Sequence, residues 1–149
     1  MIEIKRTDSN DIDFQNLVKQ LDGDLENFYE AEQNIYKEHN KIDKIKHVIV
    51  VYEDNKPVGC GAIKAYSENM MEVKRMFVPA TNRGKGIASI ILDELECWSR
   101  ELNCYTCILE TLKSKPDAIR LYEKNGYKII PNFGQYETLE NSVCFEKTL

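Results

Sequence analysis

Val73-Lys74-Arg75-Met76-Phe77-Val78-Pro79-Ala80-Thr81-Asn82-Arg83-Gly84-Lys85-Gly86-Ile87-Ala88 is the stretch on which the fold turns. It opens with strand-forming residues, Pro79 ends them, and Ala80–Gly86 is a polar loop carrying two glycines. Ile87, Ile91, Leu95, Trp98 and Leu102 follow at spacings of four, four, three and four, which is one apolar stripe along a helix. A helix start carries unpaired backbone N–H groups and partial positive charge. Glycines there let an anion approach the main chain closely, and Arg83 and Lys85 add charge at the same place. The segment therefore has the makings of a pyrophosphate cradle. The plainer reading is a glycine-eased turn bearing two solvated cations. Two better-known phosphate loops are excluded. A Walker loop needs a glycine where Pro79 stands, and Ile87 falls near its Ser/Thr position. A dinucleotide fingerprint needs a third glycine where Ser89 stands.

Working outward, Met70–Val78 is the last of three consecutive strands, after His47–Asp54 and Val58–Tyr66, with short turns at Asp54–Pro57 and Ser67–Asn69. These read as an antiparallel meander. Before them lies a strand, Ile2–Arg6. Asp8-Ser9-Asn10 then offers caps for a helix through Ile12, Leu17, Val18 and Leu21. Gly23 interrupts, and a second helix is predicted from Leu25 to His39. After the long helix come a strand at Cys104–Thr111, a short helix opened by Pro116 and capped by Gly126, and strands at Tyr127–Ile130 and Ser142–Lys147. Strand–helix–strand crossovers in this half imply parallel pairing. The class is mixed α+β, expected as one domain over residues 1–149.

Composition narrows the function. A chain of 149 residues with net charge −5 is a poor partner for a nucleic-acid backbone. With 42% hydrophobic and 30% charged residues it suits a soluble globular protein. The longest apolar run, Val48–Tyr52, is far short of a membrane span. The opening residues alternate like a strand and lack the apolar centre of a signal peptide, so the expected compartment is the cytoplasm. The odd cysteine count (Cys60, Cys97, Cys104, Cys107, Cys144) also favours reduced thiols. Cys104-x-x-Cys107 invites a metal or redox reading. In a strand, however, residues three apart face opposite ways, and buried small apolar residues are the expectation. His39 and His47 lack zinc spacing to any cysteine pair, and no metal is expected.

Arg83-x-x-Gly86-x-Ala88, after a strand ending Met76-Phe77-Val78, resembles the acetyl-CoA loop of the GCN5-related N-acetyltransferases, the GNAT family. A second block, Ala118-Ile119-Arg120-Leu121-Tyr122-Glu123-Lys124-Asn125-Gly126-Tyr127, resembles that family's later helix and strand. The likeness spans Met70–Ile130, with residues 1–47 fitting the topology but carrying no motif. It implies a central mixed sheet of about seven strands, splayed between the fourth and fifth and flanked by about four helices. The pantetheine arm of acetyl-CoA would lie in the gap, pairing with the backbone of Met76, Phe77 and Val78. Backbone N–H groups of Arg83, Gly84, Lys85, Gly86, Ile87 and Ala88 would hold the pyrophosphate. Lys115 stands where many members place an Asn. Either that contact is lost or Lys115 reaches a CoA phosphate. The family often dimerises, so a homodimer is compatible, with no interface marked.

Acetyl transfer to an amine needs a proton acceptor for the ammonium, a donor for the oxyanion and stabilisation of the leaving thiolate. Glu72 is the candidate base, since alternation places Glu72, Lys74, Met76 and Val78 on one face. A surface carboxylate paired with Lys74 or Arg75 is the plainer reading. The resemblance makes the Val78 N–H the oxyanion donor and Tyr122 the acid. The resemblance also implies direct attack in a ternary complex; a covalent cysteine route would need a thiol beside a base, and no cysteine has a histidine near it in sequence. The acceptor side falls to Asp22–Tyr36 and Pro131–Asn141, with Tyr29, Glu72 and Tyr136 as candidate contacts. The acidic residues Asp22, Asp24, Glu26, Glu30 and Glu32 beside aromatics suit a cationic amine, or simply form a solvated helix face. The expected function is N-acetylation of a small or peptidic primary amine. The alternatives are a CoA-binding regulatory module without catalysis and a transferase of another acyl group.

Overall fold

A computed structural model of the chain describes residues 1–29 and 44–149, with 25–29 by backbone alone. The strands are β1 (Ile2–Thr7), β2 (His47–Glu53), β3 (Lys56–Ser67), β4 (Met70–Phe77), β5 (Thr106–Leu112), β6 (Lys128–Ile130) and β7 (Ser142–Thr148). The α-helices among the described residues are α1 (Ile12–Tyr29), α2 (Ile87–Glu101) and α3 (Pro116–Lys124). One seven-stranded sheet has the order β1-β2-β3-β4-β5-β7-β6. The meander is antiparallel, and β4 and β5 form the parallel pair. The second expected crossover pair does not form. β7 inserts between β5 and β6 and is antiparallel to both. A three-residue strand at the edge buries little, so the longer β7 takes the inner position.

Two apolar layers cover the sheet. On one face Ile87, Ile91, Leu92 and Leu95 of α2 pack against Ile49, Val51, Ile63, Met71 and Val73. On the other, Phe14, Leu17, Val18 and Leu21 of α1 pack against Val48, Val50, Ala62 and Phe77. Each such aliphatic side chain contributes about 1.5–3 kcal/mol by burial. That term explains why α1 runs through Gly23 without a break, contrary to expectation. The glycine costs about 1 kcal/mol in a helix, less than Leu17 and Leu21 recover on either turn before it. The rest of the predicted second helix, residues 30–39, lies outside the described residues. The cap is also displaced. Asp11, not Asp8-Ser9-Asn10, receives the Phe14 N–H at 2.9 Å, while Ser9 Oγ accepts the Ile45 N–H at 3.1 Å.

The stripe of α2 turns outward at its end. Trp98 is half-buried with Arg6 over its ring at 4.7 Å and His47 edge-on at 4.8 Å. Leu102 is exposed. Polar residues replace them inside. Glu96 is buried, accepting the Tyr127 hydroxyl at 3.0 Å and Lys147 at 2.8 Å. Glu96→Ala strands both donors and is expected to destabilise by about 2–3 kcal/mol. Urea unfolding with an unchanged m-value measures it, and a loss under about 0.5 kcal/mol would show the network to be idle.

Candidate active site

The site is made by the end of one ladder. β4 and β5 pair only at Met70↔Thr106, Met71↔Cys107 and Glu72↔Ile108. Beyond Glu72 the strands part. The cause is a bulge in β4: Cys60 opposes Phe77 while Ala62 opposes Lys74, so β4 holds one residue more than β3 there. Arg75 sits in the bulge at φ 58°. Bulges bend a strand and increase its twist. Gly61 opposite permits this one, because a Cβ there would lie 2.7 Å from Met76 Sδ and 2.7 Å from Ile91.

The bulge also corrects the expected facing of side chains. Glu72, Lys74, Met76 and Val78 do not share a face. Met76 packs with the α2 layer and Val78 is buried in it. Phe77 belongs to the α1 layer. Arg75 reaches the same side, with its side chain 2% exposed and donating to Asp22 of α1 at 3.0 Å.

The groove so opened has a volume of about 960 Å³. One end is the glycine turn. Gly84 and Gly86 have φ of 81° and 80°, in the left-handed region that favours glycine. Gly86 caps α2, whose first turn closes with Ile90 N–H to Gly86 O at 3.1 Å. The N–H groups of Ile87, Ala88 and Ser89 are thereby left over by helix geometry, and all three residues line the groove. A Cβ on either glycine would meet nothing within 4 Å, so the turn is not packed against the rest of the protein. Arg83 Nε donates to the Val78 carbonyl at 2.8 Å, which ties the turn to the strand end, and its guanidinium lies 3.7 Å from Asp24. Lys85 faces away and pairs with Glu53 at 3.3 Å. Lys85 is not among the residues that line the groove. Lys115 precedes α3 and lines the groove. Burial, with Arg83 nearby, depresses its pKa.

Tyr122 of α3 is buried against Tyr127 and Phe145, at ring distances of 5.9 and 5.8 Å. It lines the groove. Burial, then the charge of Glu110, pushes its phenol well above the ordinary value. The candidate acceptor residues Glu72 and Tyr136 touch: the Tyr136 hydroxyl donates to Glu72 Oε2 at 3.0 Å. Both are buried, and Lys74 Nζ is 3.8 Å from Glu72. The Tyr29 side chain, like those of Glu26, Glu30 and Glu32, lies outside the described residues. Asp22 and Asp24 are paired with Arg75 and Arg83, so their charge is spent on the protein itself.

Glu110 of β5 was not among the sequence candidates. It lines the groove and accepts the Ser142 hydroxyl at 2.7 Å. Its signal was present as the lone carboxylate in the apolar run from Cys104 to Thr111. The cysteines are elsewhere. Cys107 packs beside Ser99 under α2, and Cys104 precedes β5 rather than lying in it. Among the described residues no group of three or more His, Cys, Asp or Glu could hold a metal. No helix among them is long and apolar enough to cross a membrane.

A diverging parallel pair, a glycine turn on a helix start and a buried tyrosine line one groove. Comparison with known proteins identifies the family. The sequence model of the acetyltransferase (GNAT) family matches residues 14–127. An IAA acetyltransferase of Azospirillum brasilense is 34% identical over 89% of this chain and 88% of its own. A Klebsiella pneumoniae structure, described provisionally as an acyl-CoA N-acyltransferase, is 28% identical with a TM-score of 0.84, covering 100% of this chain and 98% of that one. The fold also matches a Thermoplasma acidophilum N-acetyltransferase solved with coenzyme A, with a TM-score of 0.71 at 17% identity over 100% and 99% of the two chains. The chain belongs to the GNAT family of acetyltransferases and is an acyltransferase enzyme.

Proposed function

We propose that this chain moves the acetyl group of acetyl-CoA to a primary amine by direct attack in a ternary complex. The observation that carries this reading is the break in the β4–β5 ladder after Glu72 and Ile108. It leaves the edge of β4 from Val73 onward facing the groove instead of a strand. The pantetheine arm supplies amide groups that match such an edge, beside Met76, Phe77 and Val78. The diphosphate fits the turn from Arg83 to Ala88, with Lys115 across the groove as a cation.

The remaining groups divide the chemistry. The Val78 N–H is assigned to the oxyanion, where one preorganised donor is worth about 10²–10³ in rate. Tyr122 is assigned to the sulfur. A carboxylate must accept the ammonium proton, and Glu72, held by Tyr136, is the one the sequence offers. A cationic acceptor such as a polyamine, an amino sugar or a peptide amine suits these carboxylates and the aromatic cluster of Tyr66, Phe133 and Tyr136. Acetyl-CoA as donor and five unpaired thiols both fit the cytoplasm.

The test has two arms. Acetyl-CoA at about 100 times its Kd should stabilise the fold by about 2.7 kcal/mol, read as a rise in Tm. Thiol release should then appear with at least one of spermidine, glucosamine and a short peptide with a free N-terminus. No Tm rise with any CoA thioester would refute the donor assignment. A Tm rise without thiol release would favour a CoA-binding regulatory module.

A further inference from the structure

Besides Glu72, the groove holds a partly buried carboxylate that no motif of the chain marks, Glu110. We propose that Glu110, on the β5 lip, is the group that takes the acceptor's proton, with Glu72 and Tyr136 positioning the ammonium beside it. This rests on the acetyl-transfer reading above.

The placement follows from register. Glu72↔Ile108 is the last pair of the parallel ladder. Two residues further along both strands, Lys74 and Glu110 come level on one face, where the strands begin to part. Cys107 and Leu109 face the α2 layer, so Glu110 faces the other way, as Leu112 does. Ser142 of β7 fixes the carboxyl through Oε2 at 2.7 Å. Glu72, by contrast, is 7% exposed and already holds the Tyr136 hydroxyl, with Lys74 at 3.8 Å. Both contacts fall on Oε2, which leaves Oε1 to hold an ammonium in place. Glu110 is the less buried of the two.

The groups around Glu110 set its affinity for a proton. They are Glu72 and Lys74 from β4, Lys115 before α3, Tyr122 from α3, Tyr136 from the turn after β6, and Ser142 and Cys144 from β7. Burial, reinforced by Glu72 and opposed by Ser142, Lys74 and Lys115, lifts its carboxyl to about 7. A base whose pKa lies near working pH combines availability with driving force.

The step balances. An ammonium N–H bond breaks and its proton goes to a Glu110 oxygen. The freed lone pair forms the N–C bond as the carbonyl π pair moves to oxygen. That pair returns as the C–S bond breaks and sulfur leaves with its electrons. A second proton leaves nitrogen, the sulfur takes one up, and Glu110 releases its own to solvent. The third hydrogen stays on the amide.

The experiment compares wild type, Glu110→Gln and Glu72→Gln, with thiol release measured from about pH 6 to about pH 9 against spermidine, glucosamine and the short peptide. Wild-type kcat/KM should rise along a limb centred near about pH 7. Glu110→Gln should lose that limb and about 10²-fold in rate, while keeping its acetyl-CoA-induced rise in Tm. Glu72→Gln removes a negative neighbour, so its limb should survive and move to lower pH. Infrared difference spectra give a reading independent of turnover: a protonated-carboxyl band fading through the same pH range in wild type and absent from Glu110→Gln. A limb that persists in Glu110→Gln and disappears in Glu72→Gln overturns the proposal and makes Glu72 the base. A wild-type chain that binds acetyl-CoA but acetylates none of the three amines overturns the transfer reading along with it.

Discussion

Tyr122→Phe should lower kcat by about 10²-fold while leaving the affinity for acetyl-CoA within about threefold. The ring is held by Tyr127 and Phe145, and phenylalanine keeps those contacts. The hydroxyl makes no hydrogen bond among the described residues, so its removal strands no partner and stability should change by under about 0.5 kcal/mol. What is lost is the hydroxyl donor of a residue that lines the groove. The direction of its pKa refines the role. Burial and Glu110 raise the phenol above its ordinary value, whereas a thiol titrates near about 8.5. Full proton transfer from this phenol to a thiolate therefore runs uphill. In the proposed reaction Tyr122 would therefore act on the sulfur's growing charge as a neutral hydrogen-bond donor. The variant should show a lower plateau with its acidic limb unmoved. Rates at saturating acetyl-CoA, together with ligand-induced Tm shifts, separate the two effects. An unchanged kcat would remove Tyr122 from the reaction.

The parts of this site written in local chemistry were legible before any coordinates. Pro79, Gly84 and Gly86 act through their own backbone preferences, so the strand, the turn and the helix start at Ile87 follow from those residues alone. Tyr122 was placed by the resemblance of the Ala118–Tyr127 block to the family's motif, on a helix that Pro116 and Gly126 bracket. What escaped was set by partners distant in sequence. The bulge at Arg75 depends on Gly61 of the neighbouring strand making room for Met76, and that extra residue reversed the facing of Met76 and Val78. Gly23 looked like a helix end because propensity is local, while the packing of Leu17 and Leu21 that overrides it is not. Lys85 looked like a phosphate ligand until Glu53 of β2 was found beside it. Glu110 was passed over for a similar reason. A carboxylate in an apolar strand announces little until Ser142, Glu72 and Lys74 are seen around it. The insertion of β7 between β5 and β6 is what brings Ser142 to Glu110.

Gly86→Val should raise the KM for acetyl-CoA at least tenfold, and Gly126→Val, carrying the same kind of backbone strain, should leave it alone. Both glycines hold left-handed φ, 80° and 89°. A β-branched residue in that region costs about 1–3 kcal/mol, so both variants should lose comparable stability. Their surroundings differ. A Cβ at Gly126 would meet the Lys147 side chain at 3.5 Å, an ordinary contact, and Gly126 is not part of the groove. A Cβ at Gly86 would meet nothing within 4 Å, and Gly86 lines the groove. The added methyls therefore find room in the free protein, and on the proposed placement they would meet diphosphate oxygens approaching the N–H groups of Ile87 and Ala88. Binding should suffer beyond the loss of stability, while kcat at saturation, set at the far end of the groove near Tyr122, should fall much less. Urea unfolding places the two variants on one stability scale, and the ligand-induced Tm rise then reads binding. If both variants keep that rise, the diphosphate does not sit on this turn. If both lose it, strain alone is responsible and the turn has no special claim on the ligand.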